Sequence, residues 1–172
     1  AKRLFPNFSF LDAPFNKKYY KPNDYNSEVA YMGCRTRVMG NVYDPTREVT
    51  CGRGNLSFTS INLPRLAIEA KGDINKFYKS LDDMIDLVIR QLLHRFKIQC
   101  AKIGKNYPFL MGQNIWLDSD NIGEYDTVSE VLRHGTLTVG FIGLAETLKA
   151  LIGKHHGESA EAQGFLRFAG QR

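Results

Sequence analysis

Cysteine is scarce in this chain, and its scarcity closes several routes at once. The three residues, Cys34, Cys51 and Cys100, are an odd number. Their spacings fit neither a disulfide framework nor a CxxC zinc knuckle, so free thiols in a reducing compartment are expected. No uncharged apolar run approaches the length a membrane span needs. The opening AKRLFPNFSF lacks the basic, apolar and small-residue order of a signal peptide, and the chain is read as cytoplasmic with no membrane partner. No internal repeat or low-complexity linker is visible. The paired histidines His155-His156 lack the i, i+4 spacing that puts two imidazoles on one helix face, so no metal ligands are assigned.

What is present is enough for one core. At 172 residues and 43% apolar content, a single domain, or one piece of a larger one, is the expectation. The formal charge of +5 permits an anionic partner. Lys and Arg are scattered rather than clustered, however, which argues for a solvated surface and no nucleic acid.

Along the chain, residues 1–30 are rich in aromatics, Pro, Asn and Lys without a period, and read as an irregular segment with a short strand near Phe8 to Leu11. So long a non-periodic start suggests that these residues lean on protein upstream. Short β-like runs then follow, punctuated by glycine: YMGCRTRVMGN, REVTCGRGN and LSFTSINLPRLAI. Val42-Tyr43-Asp44-Pro45 reads as a turn between strands. From Asp73 to Ile103, Phe77, Leu81, Met84, Ile85, Val88, Leu92 and Phe96 recur at threes and fours, which predicts a long helix with Asp73 as N-cap and Gly104 as stop. Cys100 falls beside that stripe and needs only a packing role.

NYPFLMGQNIWL reads as a short strand and loop anchored by Trp116. Thr127 to Glu130 forms an S/T-x-x-E capping box for a helix ending near His134. Leu137 to Val139 reads as a strand running through glycines into a helix that Gly153 closes, and a last helix is expected from about Glu158.

Three places carry candidate chemistry. Cys34 lies in a glycine-punctuated loop, where two readings stand: a half-buried structural thiol, or a thiol that touches a substrate. The histidines His94, His134, His155 and His156 lie on helices or their ends, and none is placed as an obvious base for it. Asn55, Ser57, Thr59 and Asn62 put polar groups into a run that otherwise resembles a buried strand. Burying each without a partner costs about 1–3 kcal/mol, so they imply an internal network, a wet strand face or a site for a polar ligand. Gly143, Leu144 and Ala145 join a strand to a helix, which offers free N–H groups and a positive dipole end to a phosphate; a tightly packed turn is the equal alternative.

Taken together, MGCRTRV, GRGNLSFTSINLPRLAIE and HGTLTVGFIGLAE, in this order, resemble the catalytic barrel of anaerobic (class III) ribonucleoside-triphosphate reductases of the glycyl radical enzyme family. The resemblance covers about residues 31–160 and implies an α/β fold, part of a ten-stranded α/β barrel, with Cys34 on a finger loop. It leaves 161–172 as a divergent tail and gives the whole chain as a single catalytic-barrel fragment. The implied reaction is reduction of ribonucleoside triphosphates by a thiyl radical on Cys34 that takes the ribose 3′-hydrogen. The implied role of Asn55 is to hydrogen-bond the ribose hydroxyls, and Thr36 is expected to touch the substrate.

The resemblance also implies parts that this sequence does not supply. These are a glycyl radical, generated by an activase using S-adenosylmethionine and an iron-sulfur cluster, a structural zinc, a nucleotide-sensing domain, a second cysteine, and a reductant, formate or thioredoxin-like. A homodimer is implied for the complete enzyme, and the fragment alone is expected to bind no cofactor and to be inactive. Two other readings remain at this stage: a catalytically inactive nucleotide-binding or structural remnant of such an enzyme, and an unrelated basic binding module.

Overall fold

The computed structural model describes residues 9–32, 36–37 and 39–169. In chain order its elements are α1 (Pro14–Lys17), β1 (Tyr31–Met32), β2 (Thr36–Arg37), β3 (Asn55–Asn62), α2 (Leu63–Ala70), α3 (Ile74–Cys100), α4 (Ser129–Leu132), β4 (Thr136–Ile142), α5 (Leu144–Ile152) and α6 (Ala160–Ala169). The chain is mixed α/β. β1 pairs antiparallel with β2, Tyr31 opposite Arg37 and Met32 opposite Thr36. β3 pairs with β4, and the Thr136 N–H donates to the Gly54 carbonyl at 2.9 Å, so both strands start side by side and run parallel. Two compact units emerge, one formed by 9–57 with 94–137 and the other by 58–93 with 138–169.

In the first unit, Met111, Trp116, Val128, Val131 and Leu132 form an apolar cluster, with Leu56, Phe96, Cys100 and Tyr107 packed on it. Trp116 anchors it as expected: its indole N–H donates to the Val131 carbonyl at 2.6 Å, so the large ring is buried with its one donor satisfied. Cys100 takes the packing role foreseen for it, and burial pushes its thiol pKa up. Residues 9–30 carry only short elements and are tied down by polar side chains. Arg37 donates to the Phe15 carbonyl at 3.2 Å and to Asn16 Oδ1 at 2.5 Å, and Asn16 Nδ2 donates to the Phe10 carbonyl at 2.7 Å.

In the second unit, α2 packs against α5 through Leu66, Ala67, Ala70, Leu148 and Leu151. α3 presents Phe77, Leu81, Val88 and Leu92 as a buried stripe, as its periodicity predicted, and Asp73 caps it by accepting from the Lys76 N–H at 3.0 Å.

Four expectations are corrected. Residues 11 and 12 form a turn, and no strand is assigned at residues 9–11. The run to Ile68 does not stay extended. Asn62 caps α2 by accepting from the Arg65 N–H at 3.2 Å and Pro64 sits in its first turn, a helix-start signal that outweighs the β-branched residues around it. NYPFLMGQNIWL holds turns and no strand. The capping box does not form: α4 starts at Ser129 with Val128 as N-cap, while Glu130 Oε2 accepts from the Tyr43 hydroxyl at 3.0 Å instead.

Candidate functional site

The thiol singled out by sequence, Cys34, lies outside the described residues; those on either side, Met32 and Thr36, are opposite one another in the β1/β2 pair. Met39 and Gly40, a few residues further on, reach the part of the chain that opens β3. Arg53, two positions before Asn55, is only 7% exposed. Its guanidinium donates to the carbonyls of Met39 (3.1 Å), Gly40 (2.8 Å), Val49 (3.0 Å) and His134 (2.9 Å). Burial pulls its pKa down, and Glu48 acts weakly in the other direction. Asn55 follows as the half-buried first residue of β3.

A second polar cluster backs this one. Asn41 Oδ1 accepts from the Asp44 N–H at 3.1 Å, so Nδ2 is its donor, reaching the Arg47 carbonyl (3.3 Å) and His134 Nδ1 (3.0 Å). His134, 1% exposed, therefore accepts at Nδ1 and carries its hydrogen on Nε2, which donates to Asp118 Oδ2 at 2.8 Å. Arg47 clamps the same carboxylate with two bonds of 2.6 Å and reaches Asp44 at 2.5 Å. The Arg47 guanidinium holds the Asp118 carboxyl below the ordinary carboxylate range, with His134 assisting against partial burial. The Thr46 hydroxyl, and then Arg47, lower Asp44 to about 2. Gly135 completes the arrangement: a Cβ there would stand 2.5 Å from Leu56 Cγ.

The polar run on β3 is engaged internally. Arg95 donates to the Ser57 hydroxyl at 3.1 Å, the Thr59 hydroxyl donates to Gln91 at 2.8 Å, and Asn62 caps α2. Those three need no ligand to satisfy them.

Gly143 to Ala145 belong to the second unit, where Gly143 has φ 74° and a Cβ would lie 2.2 Å from Pro64 Cγ. The turn is thus tightly packed. It also opens the nine-residue α5, whose first N–H groups have no partner within the helix. Among the described residues, no three His, Cys, Asp or Glu side chains converge to hold a metal ion, and no helix is long and apolar enough to cross a membrane.

Sequence reasoning passed over Arg53, His134, Asp118 and Arg47. An arginine inside Gly-Arg-Gly was the one local signal, because a charge between two glycines next to a strand has backbone within reach. Arg47 and Asp118 are 71 residues apart, and nothing in either neighbourhood announces their pairing.

Comparison with known proteins agrees with the motifs. The family model described as Anaerobic ribonucleoside-triphosphate reductase matches residues 1–168, which extends the likeness into the irregular start and most of the tail. The anaerobic ribonucleoside-triphosphate reductases of Salmonella typhimurium and Escherichia coli are each 34% identical over 130 residues, 73% of this chain. The protein of the same description from Enterobacteria phage T4 is 24% identical over 163 residues, 91% of this chain. The chain spans 18% of the length of each of the two bacterial relatives and 26% of the phage one. With the three motifs and a family match across nearly all of its residues, the chain belongs to the anaerobic ribonucleoside-triphosphate reductase family.

Proposed function

We propose that this chain is the part of an anaerobic ribonucleotide reductase, an oxidoreductase, that carries the substrate-oxidising thiol. In this reading β3 and β4 are two strands of the family's ten-stranded α/β barrel, the region 1–172 is one catalytic-barrel segment, and the remainder of the reductase supplies the other strands and the dimer contacts. A glycyl radical in that remainder, raised by an activase, supplies the oxidising equivalent.

The work of this chain's residues follows from bond strengths and hydrogen bonding. The Cys34 sulfur radical takes the ribose 3′-hydrogen, making an S–H bond and leaving the unpaired electron on carbon, a near-balanced exchange because the two bonds are close in strength. Asn55 holds the ribose hydroxyls with an amide that both donates and accepts and adds no charge. Thr36 touches the sugar. The N–H groups of Gly143, Leu144 and Ala145 take the phosphates at the dipole end of α5. Loss of the 2′-oxygen as water consumes two electrons, supplied by formate or a dithiol protein.

The observation that carries this reading is the pairing of β1 with β2 on either side of the Cys34 segment, in the same unit that presents Asn55 at the start of β3. The test is Cys34→Ser in the full-length reductase. Turnover of ribonucleoside triphosphates is expected to vanish while calorimetry still records their binding. Retained turnover would remove Cys34 from the chemistry. Undiminished activity of the isolated chain would overturn the expectation that it needs its remainder.

A further inference from the structure

The residues given roles so far act on the nucleotide, whereas Arg53 acts on the chain. Its carbonyl partners come from three places: Met39 and Gly40 after β2, Val49 in the following loop, and His134 just before β4. A guanidinium presents its donors in a rigid planar fork, so four carbonyls at 2.8 to 3.1 Å fix direction as well as distance. An apolar side chain would fill the same space without the cost of burying a charge, but it would not set the register of the backbones around it. The carbonyl side is held in turn: Asn41, next to Gly40, bonds His134 Nδ1, and Asp118 holds His134 Nε2. Behind that, the Thr136 N–H joins the Gly54 carbonyl.

We propose that Arg53, backed by Asn41 and His134, is a positioning residue for the reductase reaction: its guanidinium sets where the chain leaving the Cys34 segment meets the first residues of the Asn55 strand. The proposal rests on the reading that Cys34 and Asn55 act on the ribose. Hydrogen transfer to sulfur depends steeply on placement, and a misplacement of about 1 Å costs about a hundredfold in rate. Arg53 is thereby assigned an effect on turnover without any contact with the nucleotide.

The experiment uses the full-length reductase carrying Arg53→Lys, which keeps the charge but offers one nitrogen in place of the fork. Steady-state kinetics and hydrogen exchange by mass spectrometry are read on the same preparation. Expected are a kcat lower by about ten- to a hundredfold, a nucleotide KM within about twofold of the parent, and faster exchange in residues 36–41 with α3 unchanged. Should Arg53→Lys fail to fold, His134→Gln serves: it keeps an N–H for Asp118 but moves its acceptor away from the Nδ1 position that Asn41 bonds, and the same pattern is expected in milder form. A kcat within about twofold despite faster exchange in 36–41 overturns the proposal. So does a loss carried in KM with that exchange unchanged, which would mean direct substrate contact. Cys34→Ser and Asn55→Ala are measured alongside. If both retain turnover, the underlying reading fails and the proposal falls with it. If both abolish turnover while Arg53→Lys leaves kcat intact, only the role of Arg53 falls.

Discussion

The two units solve the same problem with different forces. In the second, α2 lies on α5 through small and branched apolar side chains at helical spacing, so the contact is periodic and non-directional. In the first, much of the chain is loop, and its backbone carbonyls and N–H groups have no ladder to join. Side chains take that part: Arg53 for four carbonyls, Asn41 for the Asp44 N–H and the Arg47 carbonyl, Arg37 for the chain near Phe15. The contrast teaches that irregular backbone is affordable where long polar side chains can reach it, and that such a region depends on a few individual bonds.

The sharpest way to break this contrast is Arg53→Met, which leaves four carbonyls without their donor. A loss of about 3–5 kcal/mol is expected in chemical denaturation, with native-state hydrogen exchange assigning it to the first unit. Leu148→Ala, at a fully buried position, should cost the second unit about 3 kcal/mol, and the loss should track the cavity left behind. If Arg53→Met proves milder than Leu148→Ala, polar bonds are not what holds the first unit.

Gly143→Ala combines positive φ with overlap on Pro64, and should cost about 2 kcal/mol in thermal unfolding. Trp116→Phe keeps an aromatic ring but loses the indole N–H to the Val131 carbonyl, which still accepts from the His134 N–H at 3.3 Å, so the cost should be about 1 kcal/mol. The smallest effect is acid. Asp118 and Asp44 have folded pKa values below the ordinary 3.8, so their contribution is complete above that pH and is lost as pH falls towards about 2. Exchange followed between those limits should show the first unit loosening before the second.

The second unit was largely legible in the sequence because its packing is periodic. Phe77, Leu81, Val88 and Leu92 announced α3, and Gly153 announced the end of α5. The start of α2 is spelled by Asn62 and Pro64, but the alternating strand-like run that leads into them masks it. The first unit was hardly legible: Asp118 meets His134 and Arg47 only after the chain has folded, and no local pattern encodes a partner so distant. Of the candidate site, Asn55 and the Gly143 turn could be named from motifs. The arginine that ties the surrounding loops to Asn55's strand could not, because its partners are carbonyls, which every residue has.

Gly135 shows how finely that first unit is cut. The hydrogen it carries in place of a methyl group leaves a notch into which Leu56 projects, at the point where β3 and β4 begin. A lock works on the same principle: the shape of what is missing admits one key. Any larger residue at Gly135 becomes a wedge driven between two strand openings, so the fit of this corner is written as much in an omitted carbon as in the side chains that are present.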